Sequence, residues 1–143
     1  VVTTAKGLGG GMPIGACLMG EKCSDVLQKG DHGSTYGGNP VCAAAALHVV
    51  NRLDESIFSG VKERAEIIRS ALEGAEGVGG VTGLGLMIGI LPTKHTAGEI
   101  AAACLADGLL VLTAHEKVRL LPPLNIPMED LKKGIAILKK HLA

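Results

Sequence analysis

Lys6 stands between a short apolar run, Val1-Val2, and the glycine-rich stretch Gly7-Leu8-Gly9-Gly10-Gly11-Met12-Pro13. The apolar run resumes from Ile14 to Met19. This pattern predicts strand, lysine, tight loop, strand. Glycines clear side chains from the wall beside the lysine and permit positive φ. A flat ligand can then lie close to the backbone with the amine pointing at it. The residue order excludes two nucleotide loops. A P-loop places its glycines before a Lys-Ser or Lys-Thr that opens a helix, whereas Lys6 ends a strand and its glycines follow. Gly7, Gly9 and Gly10 also lack the GxGxxG spacing. A desolvated lysine at such a point can form a Schiff base with a carbonyl. A surface lysine before a structural glycine loop fits the same residues.

A second polar, glycine-rich segment runs Asp31-His32-Gly33-Ser34-Thr35-Tyr36-Gly37-Gly38-Asn39-Pro40. Ser34 and Thr35 offer hydroxyls, and the glycines let backbone N–H groups approach an anion. Asn39-Pro40 reads as a helix cap followed by proline at the first helical position, which adds favourable potential for negative charge. The alternative is an ordinary turn before a capped helix. Lysine and phosphate-type loop together favour a phosphorylated carbonyl cofactor, with pyridoxal phosphate the obvious candidate.

The elements that must position these residues follow from periodicity. Residues 20–27 read as a short helix stopped at Gly30, and the alanine-rich residues 41–50 as a strong helix. After Asp54, Ile57, Val61, Ala65, Ile68 and Leu72 make one buried helix face. From Val81 the pattern changes to a single strand, with Leu84, Leu86, Ile88 and Ile90 alternating until Pro92. Thr96 to Glu99 fits a capping box ahead of a helix over 100–106. Residues 109–113 read as a buried strand and 118–121 as another, closed by Pro122-Pro123. The last helix carries Met128, Leu131, Ile135, Leu138 and Leu142 on one side. Its acidic first turn and later lysines suit the helix dipole. Residues from about 53 onward therefore form a small α/β layer with its own core. Residues 1–52 read as the end of a larger domain.

Length and composition narrow the function classes. The chain has 143 residues, zero formal net charge, one Tyr, one Phe and no Trp. Neither nucleic acid nor an anionic membrane is favoured, and no apolar run reaches a membrane span. Cys17, Cys23, Cys42 and Cys104 form no CxxC; they read as buried free thiols of a reducing, cytoplasmic compartment. The five histidines make no HxxxH or HxH pair, so no metal site is expected. The chain opens inside an apolar run without a methionine, which reads as a piece of a longer protein.

Three stretches carry a resemblance. Thr4-Ala5-Lys6-Gly7-Leu8-Gly9-Gly10-Gly11-Met12-Pro13-Ile14-Gly15-Ala16 resembles the cofactor-lysine motif of class III aminotransferases, the fold-type I pyridoxal phosphate enzymes. His32 to Pro40 is similar to their second motif, and Gly83 to Gly89 to the first strand motif of their C-terminal domain. Leu109 to Ala114 and Val118 to Ile126 resemble the closing segments of members that act on N-acetylornithine. The resemblance implies an α/β fold: residues 1–52 as the C-terminal part of the large cofactor-binding domain, and 53–143 as a small α/β (α+β) C-terminal domain. It implies that Lys6 carries pyridoxal 5'-phosphate and moves the proton during transamination. Thr35, with Ser34 beside it, would bind the cofactor phosphate across a homodimer interface. Arg119 would bind substrate carboxylate, a structural ion pair being the alternative. The implied reaction moves the terminal amino group of N-acetylornithine to 2-oxoglutarate, in arginine biosynthesis. Ornithine or 4-aminobutyrate transamination, an aminomutase, or a non-catalytic dimer-packing role are the alternatives. Two departures stand out: Thr82 where relatives often carry arginine, and His115 where they usually carry glycine. The family's pyridine-nitrogen aspartate, aromatic ring partner, glycine segment for the phosphate and main substrate arginine have no counterpart here. The resemblance therefore implies a fragment inactive by itself.

Overall fold

The computed structural model describes residues 1–143, which divide into two compact units, Val1–Asp54 and Glu55–Ala143. The first unit holds an antiparallel pair, β1 (Val2–Thr4) and β2 (Ala16–Leu18), in which Thr3 faces Cys17. One long helix follows, α1 (Pro40–Asn51). The helix expected over 20–27 shrinks to one 3-10 turn at Glu21–Cys23. Local side-chain bonds win there: Ser24 Oγ donates to the Glu21 carbonyl (2.9 Å), and Asp31 accepts from the Gln28 N–H (2.7 Å).

The second unit is built α-β-β-α-β-β-α. It comprises α2 (Glu55–Leu72), β3 (Val78–Leu84), β4 (Met87–Pro92), α3 (Ala97–Ala106), β5 (Leu112–Ala114), β6 (Lys117–Leu120) and α4 (Met128–Leu142). The sheet order is β3-β4-β6-β5, antiparallel throughout. Ile88, Ile90 and Val118 are buried together with Ile68, Leu72, Ile100, Cys104, Leu138 and Leu142 from the three helices. Burial raises the pKa of the Cys104 thiol, so it behaves as a small apolar side chain. All four cysteines are free, but only Cys42 and Cys104 are buried as expected: Cys17, on the short β1–β2 pair, is exposed and Cys23 half-buried, because the first unit has little core to cover them.

Two expectations fail in the sheet. The single strand from Val81 to Pro92 is a hairpin: Leu84 pairs with Met87 across Gly85-Leu86. Gly85 has φ +55, a conformation glycine adopts without a Cβ penalty, and a Gly-X pair suits a two-residue hairpin loop. The turn breaks the alternation, so Leu84 is 89% exposed while Leu86 tucks into the core at 3%. The strand expected to be buried over 109–113 is an edge strand covering only Leu112–Ala114. Leu110 and Leu112 are exposed and Val111 alone of that run is buried.

The helix ends follow the expected chemistry. Thr96 and Glu99 form a reciprocal capping box, and the helix it opens starts at Ala97. At its other end Asp107 accepts from Lys140 Nζ (2.7 Å) and His141 Nε2 (2.8 Å), tying α3 to the end of α4.

Two tests address these joints. A Cβ on Gly77, at φ +76, would overlap the Leu142 carbonyl where β3 begins beside the end of α4. Gly77→Ala is expected to destabilise the unit by at least ~2 kcal/mol in chemical denaturation, combining backbone strain with a clash. Asp107 is held below the usual carboxylate range by its hydrogen bonds to Lys140 and then His141. Glu99 is held below it by the backbone and then the side chain of Thr96. Their folded pKa values lie below the unfolded ones, so their stabilisation is present above about pH 4 and lost as pH falls through the folded values. Asp107→Asn should flatten the acid limb of a plot of Tm against pH while leaving a limb from Glu99.

Candidate functional site

Lys6 is reached through an abrupt change of backbone. Ala5 is fully extended (φ −160, ψ −150), and Lys6 turns left-handed at φ +52. That region is sparsely populated by residues other than glycine, and such strain clusters at functional sites. Leu8 N–H then donates to the Ala5 carbonyl and Gly10 N–H to the Gly7 carbonyl, both at 3.1 Å, winding the 3-10 turn Lys6–Gly9. Gly9 is buried, and a Cβ there would lie 2.8 Å from Ile14 Cγ2. A Cβ on Gly10 would sit 3.3 Å from Val49 Cγ2 of α1. These two glycines seat the loop against its surroundings. Gly7 and Gly11 have open space where a side chain would be. The Lys6 side chain is exposed and takes part in no hydrogen bond or ion pair within the chain.

The second loop is equally unspent. None of the backbone N–H groups from 32 to 38 donates to another protein group, whereas Asn39 N–H donates to the Tyr36 carbonyl at 3.2 Å. Ser34 and Thr35 are exposed. A Cβ on Gly37 would fall 3.0 Å from Ser34 Oγ, so the glycine leaves room for that hydroxyl. The helix behind contributes less than its cap sequence suggests. Asn39 Oδ1 accepts from Val41 N–H (3.0 Å) and Cys42 N–H (3.3 Å), and Pro40 has none to give. The first-turn donors are therefore occupied, and what remains for an anion is the helix dipole. No hydrogen bond joins Lys6 to Ser34 or Thr35.

The residues fit a phosphorylated aldehyde. A free amine sits on an open, glycine-floored turn, and two hydroxyls and a run of unpaired N–H groups match a phosphate's acceptor oxygens.

Arg119 belongs to the second unit. It lies in the middle of β6, opposite Gly89 on β4 and Leu112 on β5. It forms no ion pair, and its Nε is buried without a hydrogen-bond partner. The structural ion pair weighed as its alternative is not formed within this chain. Sequence reasoning missed the residue beside it: Lys117 Nζ donates to Thr82 Oγ1 at 3.1 Å. No motif marks that pair, since Thr82 and Lys117 are 35 residues apart. His115 adopts φ +53 in the tight turn between β5 and β6. A left-handed position explains why glycine suits that point, and histidine tolerates it better than most residues.

Elsewhere in the second unit, an apolar recess of about 310 Å³ opens between α4 and the β5–β6 edge, lined by Leu110, Leu112, Leu121, Ile126, Leu131 and Ile135 among others. No group of three His, Cys, Asp or Glu side chains is placed to hold a metal ion. No helix is long and apolar enough to cross a membrane.

The family model for aminotransferase class-III matches residues 1–142. An acetylornithine aminotransferase from Haemophilus ducreyi is 44% identical over all of this chain and 37% of its own length. The crystal structure of N-acetylornithine aminotransferase from Stenotrophomonas maltophilia superposes with a TM-score of 0.81 at 34% identity, over 97% of this chain and 38% of that one. A Toxoplasma gondii ornithine aminotransferase, described with partial occupancy of pyridoxal phosphate at its active site, gives a TM-score of 0.83 at 26% identity, over 98% and 35%. The chain thus spans little more than a third of the relatives it matches. Its own extent is covered almost end to end, and it belongs to the class-III aminotransferase family, whose enzymes use pyridoxal phosphate.

Proposed function

We propose that this chain is the C-terminal part of a pyridoxal phosphate-dependent transaminase that moves the terminal amino group of N-acetylornithine to 2-oxoglutarate. The observation that carries the reading is Lys6: a free amine on a left-handed residue at a strand end, floored by glycines. In this reading residues 1–52 are the end of the large cofactor-binding domain and 53–143 the small C-terminal domain. The four free thiols suit a cytoplasmic enzyme.

When bound, the cofactor supplies an electron sink that stabilises the carbanion left when the substrate carbon loses its proton. Lys6 Nζ would hold the cofactor through its aldehyde carbon. As a free amine, Lys6 would carry the proton to and from the substrate carbon bearing nitrogen. Thr35 and Ser34 donate their hydroxyls to the phosphate, and Arg119 binds a substrate carboxylate. Overall, one primary amine becomes an aldehyde and one 2-oxo acid becomes an amino acid. In this reading Thr35 serves the other subunit of a homodimer, as the likeness of residues 32–40 to the family's second motif implies. The exposed apolar residues Val41, Leu47 and Val50 on α1 also suit burial against a partner.

Likeness to ornithine aminotransferases keeps ornithine as the second reading for the donor. Comparing kcat/KM for N-acetylornithine, ornithine and 4-aminobutyrate in the full-length protein decides between them, and a large preference for either of the latter overturns the donor. Lys6→Ala in that protein should lower turnover by about three orders of magnitude or more, since nucleophile and proton carrier are lost together; near-normal turnover would refute the role. Treating the 143-residue chain with pyridoxal phosphate and borohydride, then mapping peptides, tests whether it holds the cofactor by itself. Label concentrated on Lys6 means that it does, and its absence favours a packing role for the fragment. Thr35→Ala should weaken cofactor binding about tenfold in an absorbance titration of the full-length protein, the worth of one hydrogen bond to a charged group.

A further inference from the structure

Antiparallel pairing assigns each strand residue to one face of the sheet. In the second unit Ile88, Ile90 and Val118 lie on the face covered by the helices. Thr82, Gly89 and Arg119 are directly opposite one another across β3, β4 and β6, which puts them on the other face. Lys117, two residues before Arg119, shares that face. A Cβ on Gly89 would lie 3.2 Å from Lys117 Cδ and 3.3 Å from Thr82 Oγ1. The missing side chain thus leaves a hollow that the Lys117 stem crosses. Its ammonium donates to Thr82 Oγ1 at 3.1 Å, and Thr82 Oγ1 in turn donates to the Gly89 carbonyl at 3.3 Å. Lys117 is therefore held in place with two of its three N–H groups uncommitted.

The electrostatics of this row are unbalanced. Lys94, Lys133, Lys140 and Arg69 in the same unit each have a carboxylate partner, while Lys62, Arg64, Lys132 and Lys139 have none. Neither Lys117 nor Arg119 has one, and the Arg119 Nε is buried without any partner. Residues 117 and 119 share one strand face with Cα atoms about 7 Å apart, so two cations stand side by side there without a counterion. One bound carboxylate would give both residues the counterion that neither finds within the chain.

We propose that Lys117 and Arg119, spaced by the Gly89 hollow and steadied by Thr82, form a two-cation cradle for a small carboxylate. It extends the reading of Arg119 as the substrate-carboxylate residue: Lys117 would be the second carboxylate contact and Thr82 the residue that positions it. The ligand class is a small carboxylic acid, which covers both the amino acids and the 2-oxo acids of a transamination.

The test uses the 143-residue chain and needs neither cofactor nor turnover, so it can fail while the transaminase reading stands. Glutarate is titrated while the Arg119 Nε–H and the Gly89 N–H are followed by NMR. Both signals should shift saturably, and neutral glutaramide should leave them unmoved. Lys117→Gln should raise the dissociation constant at least fivefold, and Lys117→Arg should restore it to within about twofold. Lys117→Arg should also keep the parent's unfolding midpoint, which separates binding from a purely structural role. Equal affinity in Lys117→Gln overturns the proposal, as does a shift with glutaramide. Tighter binding of inorganic phosphate than of glutarate overturns the carboxylate assignment. Absence of dispersed Ile88 and Val118 methyl signals overturns the sheet on which the row stands, and the proposal with it.

Discussion

The pairing of β4 with β6 governs the second unit. Ile88, Ile90 and Val118 must all face the helices, and the two-residue period of a strand then leaves no choice for their neighbours. Slipping the register by one residue would drive Arg119 and Gly89 into the core and expose the isoleucines. Burying those side chains is worth roughly 1.5–3 kcal/mol each, so the slip is prohibited many times over. The same constraint that builds the core brings Thr82, Lys117 and Arg119 into one neighbourhood from separate strands.

The first unit works differently. Its buried residues are few, namely Gly9, Cys42 and Ala46, and its shape comes from turns, a capped helix and close backbone approaches. Such a unit cannot rely on a large apolar core to fix its loops. It relies on the left-handed step at Lys6 and on glycines whose missing Cβ atoms let the loop lie against Ile14 and Val49. The cost is backbone strain, and the return is a lysine amine and a run of N–H groups that nothing inside the chain consumes. The first unit thus presents a free amine and unpaired N–H donors, and the second presents Lys117 and Arg119 without counterions.

Legibility in the sequence tracked the range of the interaction. The Asn39-Pro40 cap, the Thr96–Glu99 box, the buried faces of α2 and α4 and the order of lysine and glycines were all readable, because each depends on residues within a few positions of one another. The segment 81–92 reads as one strand because alternating glycine and leucine looks the same in a continuous strand as in a hairpin, until Gly85 turns. The stretch at 20–27 was misread because the side chains of Ser24 and Asp31 outcompete helical hydrogen bonds. The exposed flank of β5 was invisible because nothing local tells an edge strand from a central one.

By itself, then, the sequence determined the chemistry on offer: an amine beside a glycine turn, two hydroxyls ahead of a capped helix, and a family pattern through the whole chain. Those are matters of residue type and short spacing. Tertiary structure alone decided which groups are already spent and which remain free. It showed the helix cap consuming its own first donors, Arg119 without its ion pair, and Lys117 lying across Gly89 toward Thr82. Hydrogen-bond and charge satisfaction are settled between residues tens of positions apart, once sheet register has brought them together.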